Sequence, residues 1–477
     1  MKTVFISGQF NVLHPGHVRL FRFAKQCGDK LIVGVESDRL AIGTALISES
    51  LRLEGVQSNS FVDEAFLFNR PIPEIIAERK PDVVVKGREY EQQFNAEQAA
   101  VESYGGTLLF ASGSSVFSAS ELIRREVSRH NEPLCRLPTE YIKRNQINQS
   151  HVIEVLRAFS NLRVVVIGDL IIDEYVDCEP LGMSQEEPTI VVSPIESKKF
   201  IGGAGIVASH AAGLGAKTTF ISIAGEDSNR DFAREKLAGS GVNACLFTDH
   251  TRPTTLKQRY RAHGKSLLRV CDLRQDAMPE VLQPVFLDKV LETIQDADLL
   301  VFSDFNYGCL PQKLVTKILV EAKDSNVMMA ADSQSSSQVG DIARFRCMDL
   351  ITPTEREARI STKSHEDGLV VLSEKLRKIA TAKYVILKMG GDGLLVQTNR
   401  SDNTGPRTDQ VPALNTSPVD TAGAGDSLLI SSAMAMALKA DIWEMGLVGS
   451  VAAAIQVSRL GNVPLTAEEL IQEFHKS

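Results

Sequence analysis

Nowhere in the 477-residue chain do apolar residues run on for the roughly 18 positions that a membrane-spanning helix needs. Such a helix is not expected. The 7 cysteines (Cys27, Cys135, Cys178, Cys245, Cys271, Cys309 and Cys347) are odd in number and include no C-x-x-C pair. That argues against a disulfide framework and for reduced thiols. Positive charge is in deficit, with 52 Lys and Arg against 60 Asp and Glu and a net charge of −8. A general nucleic-acid binder, usually basic, is therefore not expected, although local basic pockets for phosphates fit this balance. Repeats and low-complexity tracts are also missing, and 43% hydrophobic with 23% charged residues is ordinary for a soluble globular protein. The chain enters a strand pattern at once, Lys2-Thr3-Val4-Phe5-Ile6, without the charged and apolar regions of a secretion signal. A cytoplasmic protein that binds neither nucleic acid nor membrane is expected.

What is present is alternation. Short apolar runs (Val4 to Ile6, Leu31 to Val35, Asp82 to Val85, Thr107 to Phe110) are separated by helical patterns, as in βαβ units on a parallel sheet. A second series starts at Arg163 to Asp169 and continues through Thr219 to Ile223, Leu299 to Phe302, Val327 to Ala330 and Tyr384 to Lys388. Between them lies a polar stretch with Pro133 and Pro138. The expected fold class is α/β with two doubly wound parallel-sheet domains, residues 1–130 and 161–477, joined by a linker over 131–160. Two strand-like stretches without long helices, Thr189 to Lys199 and Thr254 to Arg269, suit a small β lid over the second sheet.

The sharpest motif is Asp420-Thr421-Ala422-Gly423-Ala424-Gly425-Asp426, just before the apolar run Leu428-Leu429-Ile430. Ala422 to Gly425 carry almost no side chain, so their N–H groups can open a helix and converge on an anion. Asp426 would sit in the first turn beside that anion, where a carboxylate can take a proton from a hydroxyl while the N–H groups hold a phosphate. The plain alternative is a glycine-rich turn with a helix-terminus charge. Asp173, at the end of a strand, can accept hydrogen bonds from sugar hydroxyls or be a solvated loop carboxylate. Lys257 and Arg259 share one strand face, suited either to a substrate that bears a phosphate or to a solvated edge.

The motif resembles the signature of the ribokinase-like (PfkB) sugar kinases, D-T-x-G-A-G-D, without a mismatch. The resemblance implies Asp426 as general base, Ala422, Gly423, Ala424 and Gly425 as an anion hole, and Thr421, Gly391 and Gly393 near the nucleotide. It further implies Asp173, Gly202 and Gly203 at the sugar, and Glu357 as an indirect organiser of Mg²⁺, with ATP as phosphate donor. Ile206 and Thr354 stand where the family usually has Asn. Lid strands of this family often pair between subunits, so a homodimer through the lid is expected.

In the first half, Gly8-Gln9-Phe10-Asn11-Val12-Leu13-His14-Pro15-Gly16-His17 follows the first strand. His14 and His17 are three apart at a helix start and can face one point, suited to charge on an α-phosphate; a metal pair or plain surface histidines are the alternatives. The segment resembles the cytidylyltransferase-like family. That implies His14 and His17 as catalytic residues and Phe10, Lys86, Ser118 and Ser120 at the nucleotide, ATP or CTP. Asn11 stands where the family has Asp, and of the family's Lys-Gly and Arg-Pro pattern only Arg52 aligns. Taken together, the two halves are similar to the bifunctional ADP-heptose synthesis family with domain order reversed. The resemblance implies phosphorylation of D-glycero-D-manno-heptose 7-phosphate at C1 and nucleotidyl transfer to a sugar 1-phosphate. The alternatives are an active kinase with a non-catalytic first domain, or both activities on another sugar.

Overall fold

Val4 and Ile6 point to one face of the first strand and Phe5 to the other, and all three are buried. A strand covered on both faces reads as a continuous apolar run, which is why no polar alternation marks it. In the computed structural model, which describes residues 2–11, 13, 15–41, 45, 47–87, 95–111, 135–262, 265–322, 325, 327–335, 340–399, 406–415 and 417–475, the chain divides into two units, 1–132 and 133–477.

In the first unit, β1 (Thr3–Gly8), β2 (Lys30–Glu36), β3 (Glu64–Phe68), β4 (Val83–Gly87) and β5 (Thr107–Ala111) form one sheet in the order β3-β2-β1-β4-β5. Every pairing is parallel. Val4, Ile6, Val33, Val35 and Phe21 build the core on one face, and Phe5, Ile32, Val84, Ile75 and Ile76 the core on the other. The order reverses between β1 and β4, and open parallel sheets bind ligands at the carboxyl ends of such a pair.

The first strand of the second unit is β6 (Arg163–Gly168), whose chain passes at once into the lid strands β7 (Leu170–Met183) and β8 (Ile190–Gly203). Then follow β9 (Lys217–Ala224), β10 (Asn243–Thr248), the lid strands β11 (Thr255–Ala262) and β12 (Lys265–Asp272), β13 (Leu299–Asp304), β14 (Met328–Ser333), β15 (Leu350–Ile351), β16 (Tyr384–Lys388), β17 (Leu394–Asn399) and β18 (Pro406–Val411). The main sheet has nine strands in the order β10-β9-β6-β13-β14-β15-β16-β17-β18, parallel except for the last two pairings. The lid is a four-stranded sheet, β12-β11-β7-β8. One face of the main sheet packs on the helices Ala424–Ala437 and Ile442–Gln456, whose residues are buried almost all round. A helix apolar on every side belongs in a core, which accounts for their sequences.

The stretch 131–160, read as a linker, holds the helices Thr139–Arg144 and Gln149–Ala158. Tyr141, Val152, Leu156 and Phe159 are buried in the core of the second unit, and the Tyr141 hydroxyl donates to the Trp443 carbonyl at 3.0 Å. Its apolar residues recur at helical spacing, and the flanking prolines and polar residues masked that period.

Candidate active site

Asp420 fixes the start of the DTAGAGD segment. Its Oδ1 accepts the Ala422 N–H at 3.1 Å, and its Oδ2 accepts the Gly461 N–H at 3.1 Å and the Tyr175 hydroxyl at 2.7 Å. Gly423 then turns with φ of 75°, and a Cβ there would lie 2.4 Å from Asn462 Oδ1, so both backbone and space demand glycine. The helix Ala424–Ala437 follows, and its first hydrogen bond runs from Ser427 N–H to Gly423 O at 2.9 Å. The N–H groups of residues 424–426 precede that bond and have no acceptor within the helix, which makes an anion site.

Asp426 sits in this first turn, 6% exposed, and accepts a hydrogen bond from Gln334 Nε2 at 3.0 Å. Burial, and then the neighbouring Asp332 carboxylate, push its pKa up to about 7, against the pull of Lys388. A carboxyl group in that range is matched to proton transfer near neutrality. Asp332 lies in the buried run of β14 and receives the Lys388 ammonium at 2.8 Å. Burial opposes the Lys388 charge, but Asp332, Glu357 and Asp426 together hold its pKa above the ordinary lysine value.

Glu357 Oε1 accepts the Ser335 N–H at 3.1 Å, and Oε2 accepts the Thr354 N–H at 2.7 Å while the Thr354 hydroxyl caps the Glu357 N–H. This reciprocal capping box starts the helix Glu355–Thr362. The Thr354 that departs from the family pattern is thus the residue that anchors Glu357. Ile206, the other departure, is 1% exposed in the core and makes no approach to the cleft.

At the lid, Asp173 is 7% exposed, and burial raises its pKa although the Arg259 guanidinium lies 3.5 Å away. Gly202 admits it: a Cβ there would meet Asp173 Oδ2 at 2.3 Å. Gly203 has φ of 57° and begins the helix Ala204–Gly213. Lys257 is only 7% exposed and holds its ammonium 5.3 Å from the Phe305 ring centre and 4.9 Å from that of Tyr307. The solvated-edge reading of Lys257 therefore fails.

One cleft of about 760 Å³ joins these groups. It is lined by Asp173, Gly203, Lys257, Arg259, Glu357, Gly391, Gly393, Thr421 to Gly425 and Asp426, all expected from sequence. Gly202 stands behind Asp173 instead of lining the cleft. Gln334, Lys388 and Asn462 also line it without having been assigned roles. Of these, Lys388 opens the segment Lys388-Met389-Gly390-Gly391-Asp392-Gly393, whose glycines carried a readable signal; Gln334 and Asn462 belong to no motif.

In the first unit, His17 lies in the helix Pro15–Gln26 and meets the Phe10 ring edge-on at 5.2 Å. Phe10 is 5% exposed, has φ of 49° and packs on Phe21, so its ring is a core contact. Lys86 leaves the end of β4 and pairs with Glu97 at 2.9 Å, which restrains the ammonium expected at phosphate. Arg52 is buried and donates to the carbonyls of Gln9 (2.7 Å), Glu36 (2.8 Å) and Ile47 (2.8 Å) and to Asp38 (2.6 Å). It braces three loops and has little left for a ligand. His14, Ser118 and Ser120 lie outside the described residues.

Two family models match the chain in this order. The family model described as pfkB family carbohydrate kinase matches residues 161–467, and that described as cytidylyltransferase-like matches residues 5–169. The bifunctional protein HldE of Nitrobacter hamburgensis is 30% identical over 321 residues, 66% of this chain and 63% of that protein. Its counterpart in Campylobacter jejuni is 26% identical over 311 residues, 65% of this chain and 64% of that protein. The chain thus spans a little under two thirds of the length of the curated relatives it matches. Among solved structures, phosphofructokinase-2 from Escherichia coli matches with a TM-score of 0.55 at 18% identity, covering 66% of this chain and 98% of that one. Ribokinase from Thermotoga maritima matches with a TM-score of 0.52 at 22% identity, covering 66% and 100%. These two likenesses establish the ribokinase-like fold.

Proposed function

As the chain belongs to the pfkB family of carbohydrate kinases, we propose that its second unit phosphorylates a sugar phosphate with ATP, the substrate being D-glycero-D-manno-heptose 7-phosphate and the acceptor its C1 hydroxyl. The observation that carries the reading is a cleft lined both by a buried carboxylate at a helix N-terminus and by the cations of a lid. Asp426 takes the proton of the acceptor hydroxyl as its oxygen bonds to the γ-phosphorus and ADP leaves. The N–H groups of residues 424–426 meet the charge on the transferred group, and Asp173 orients the sugar hydroxyls. Lys257 and Arg259 receive the phosphate the substrate already carries.

Mg²⁺ would come with ATP and neutralise charge on its phosphates. Both Glu357 oxygens already accept backbone N–H groups, so this carboxylate suits contact through water with an ion that keeps most of its hydration. The first unit, with His17 in the helix that follows β1, is assigned nucleotidyl transfer to a sugar 1-phosphate, with ATP or CTP as donor and pyrophosphate as product. A homodimer through the lid is supported by apolar side chains that the lid leaves exposed, Leu181, Met183, Ile190, Ile195 and Leu268 among them. Seven free cysteines, two of them exposed, suit a reducing cytoplasm.

The test is a panel of sugar phosphates with ATP, followed by phosphorus NMR of the products. Heptose 7-phosphate should be phosphorylated at C1 faster than ribose or fructose 6-phosphate; equal or slower turnover removes the heptose assignment. For the first unit, pyrophosphate release with heptose 1-phosphate should be abolished by His17→Ala, and its absence in the unsubstituted protein would leave that unit a binding module.

A further inference from the structure

Lys388 ends β16 at the edge of the sheet that faces the cleft. Its backbone is fixed by an N–H bond to the Pro353 carbonyl at 2.7 Å. Its side chain runs beside Gly425: a Cβ at that glycine would lie 3.3 Å from Nζ, 3.7 Å from Cδ and 3.9 Å from Cε. The ammonium thus stands against the first turn of the helix whose N–H groups form the anion site. Among the described residues, Asp332 Oδ2 at 2.8 Å is its hydrogen-bond partner. An ammonium has three donors, so two remain. A pair made only to neutralise a buried carboxylate could stand anywhere in the core; the lysine of this one lines the cleft together with Asp426.

We propose that Lys388 is a catalytic residue of phosphoryl transfer, its ammonium meeting the γ-phosphoryl group of ATP beside Gly425, with Asp332 as the positioning residue that aims it. This rests on the reading of the cleft as the phosphoryl-transfer site. Lys388 moves no proton: the hydroxyl proton goes to Asp426, the acceptor oxygen bonds to phosphorus, and the bond to the ADP oxygen breaks. The lysine offsets charge on the equatorial oxygens, where electrostatic stabilisation is most effective in a water-poor site.

The competing role is neutralisation of Asp332 alone, and a pair of variants separates the two. Lys388→Met should weaken ATP about tenfold by calorimetry while leaving ADP unchanged, since only ATP carries the group that meets the ammonium. With an accepted sugar, kcat should fall about 100-fold with little change in the sugar KM. The double variant Lys388→Met/Asp332→Asn removes the stranded buried carboxylate, so it should recover thermal stability without recovering kcat or the ATP preference. Equal loss of ATP and ADP, or recovery of the ATP preference in the double variant, overturns the proposal. The nucleotide comparison needs no sugar, so it decides the role of Lys388 even if no sugar phosphate is turned over and the substrate assignment falls.

Discussion

The Tyr175 hydroxyl donates to Asp420 Oδ2 at 2.7 Å, tying the first lid strand to the residue that opens the anion-hole segment. Tyr175 is 4% exposed and carries the Arg259 and Arg261 guanidinium groups over its ring at 5.3 and 5.1 Å. The lid and the turn that precedes the helix Ala424–Ala437 are thereby joined through a hydrogen bond. Tyr175→Phe keeps the ring and deletes the bond, so folding should be nearly unchanged. The sugar KM should rise several-fold and kcat fall less, in steady-state kinetics. Unchanged kinetics would mean that the lid and the anion hole are independent.

Asp426→Asn should lower kcat by at least about 100-fold with the ATP affinity retained, since the base is removed and the helix N-terminus is not. In the unsubstituted protein kcat/KM should rise with pH through about 7, where the Asp426 carboxyl loses its proton. The stability effect has the opposite direction. A carboxyl whose pKa is raised by folding favours the folded state below its unfolded value of 3.8, and that advantage is lost as pH rises through about 7. Asp426→Asn should therefore melt higher than the unsubstituted protein at pH 8 and level with it at pH 4. Calorimetry at the two pH values checks this, and a lower melting temperature at pH 8 would contradict the buried, destabilising carboxylate.

Lys257→Met should discriminate between substrates. The variant keeps an apolar chain beside Phe305 and Tyr307 and loses the charge. The KM for a phosphorylated sugar should rise about tenfold or more, and that for its unphosphorylated counterpart should hardly move. Parallel increases for both sugars would place the substrate phosphate elsewhere.

Arg52→Ala should destabilise the first unit by about 3 kcal/mol or more, because three carbonyl acceptors lose a charged donor. Arg52→Lys should recover only part, as one ammonium cannot reach all the positions a planar guanidinium spans. Urea unfolding of the full chain reads this directly. Normal stability combined with lost pyrophosphate release would make Arg52 a phosphate ligand instead of a brace.

The parts of the site legible in the sequence are those made by local chemistry. Asp420 to Asp426 is a turn and a helix start within seven residues, so small residues and two carboxylates announce it. The alternating apolar runs announced the parallel sheets for the same reason. Gln334 and Asn462 escaped because each reaches the site from a different loop, and only the folded sheet brings them to Asp426 and Asp173. Thr354 was read as a missing family asparagine, when its spacing to Glu357 already spelled a capping box. Arg52 aligned with a ligand position, but its burial, which sequence does not display, gives it a structural task. The helices at 139–144 and 149–158 were hidden by the prolines and polar residues around them.

Asp169, one residue from both β6 and β7, accepts the N–H groups of Phe305 at 2.8 Å, Tyr307 at 3.3 Å and Cys309 at 3.1 Å. Next to it, Gly168 has φ of 154° and passes so close to Ser303 that a Cβ would lie 1.8 Å from its carbonyl oxygen. The joint between sheet and lid is therefore a clamped fulcrum. The loop held there is the one on which the aromatic rings beside Lys257 are mounted. Amide hydrogen exchange at residues 305–309 should slow when a sugar phosphate binds, so the joint would report occupancy of the cleft before any phosphate has moved.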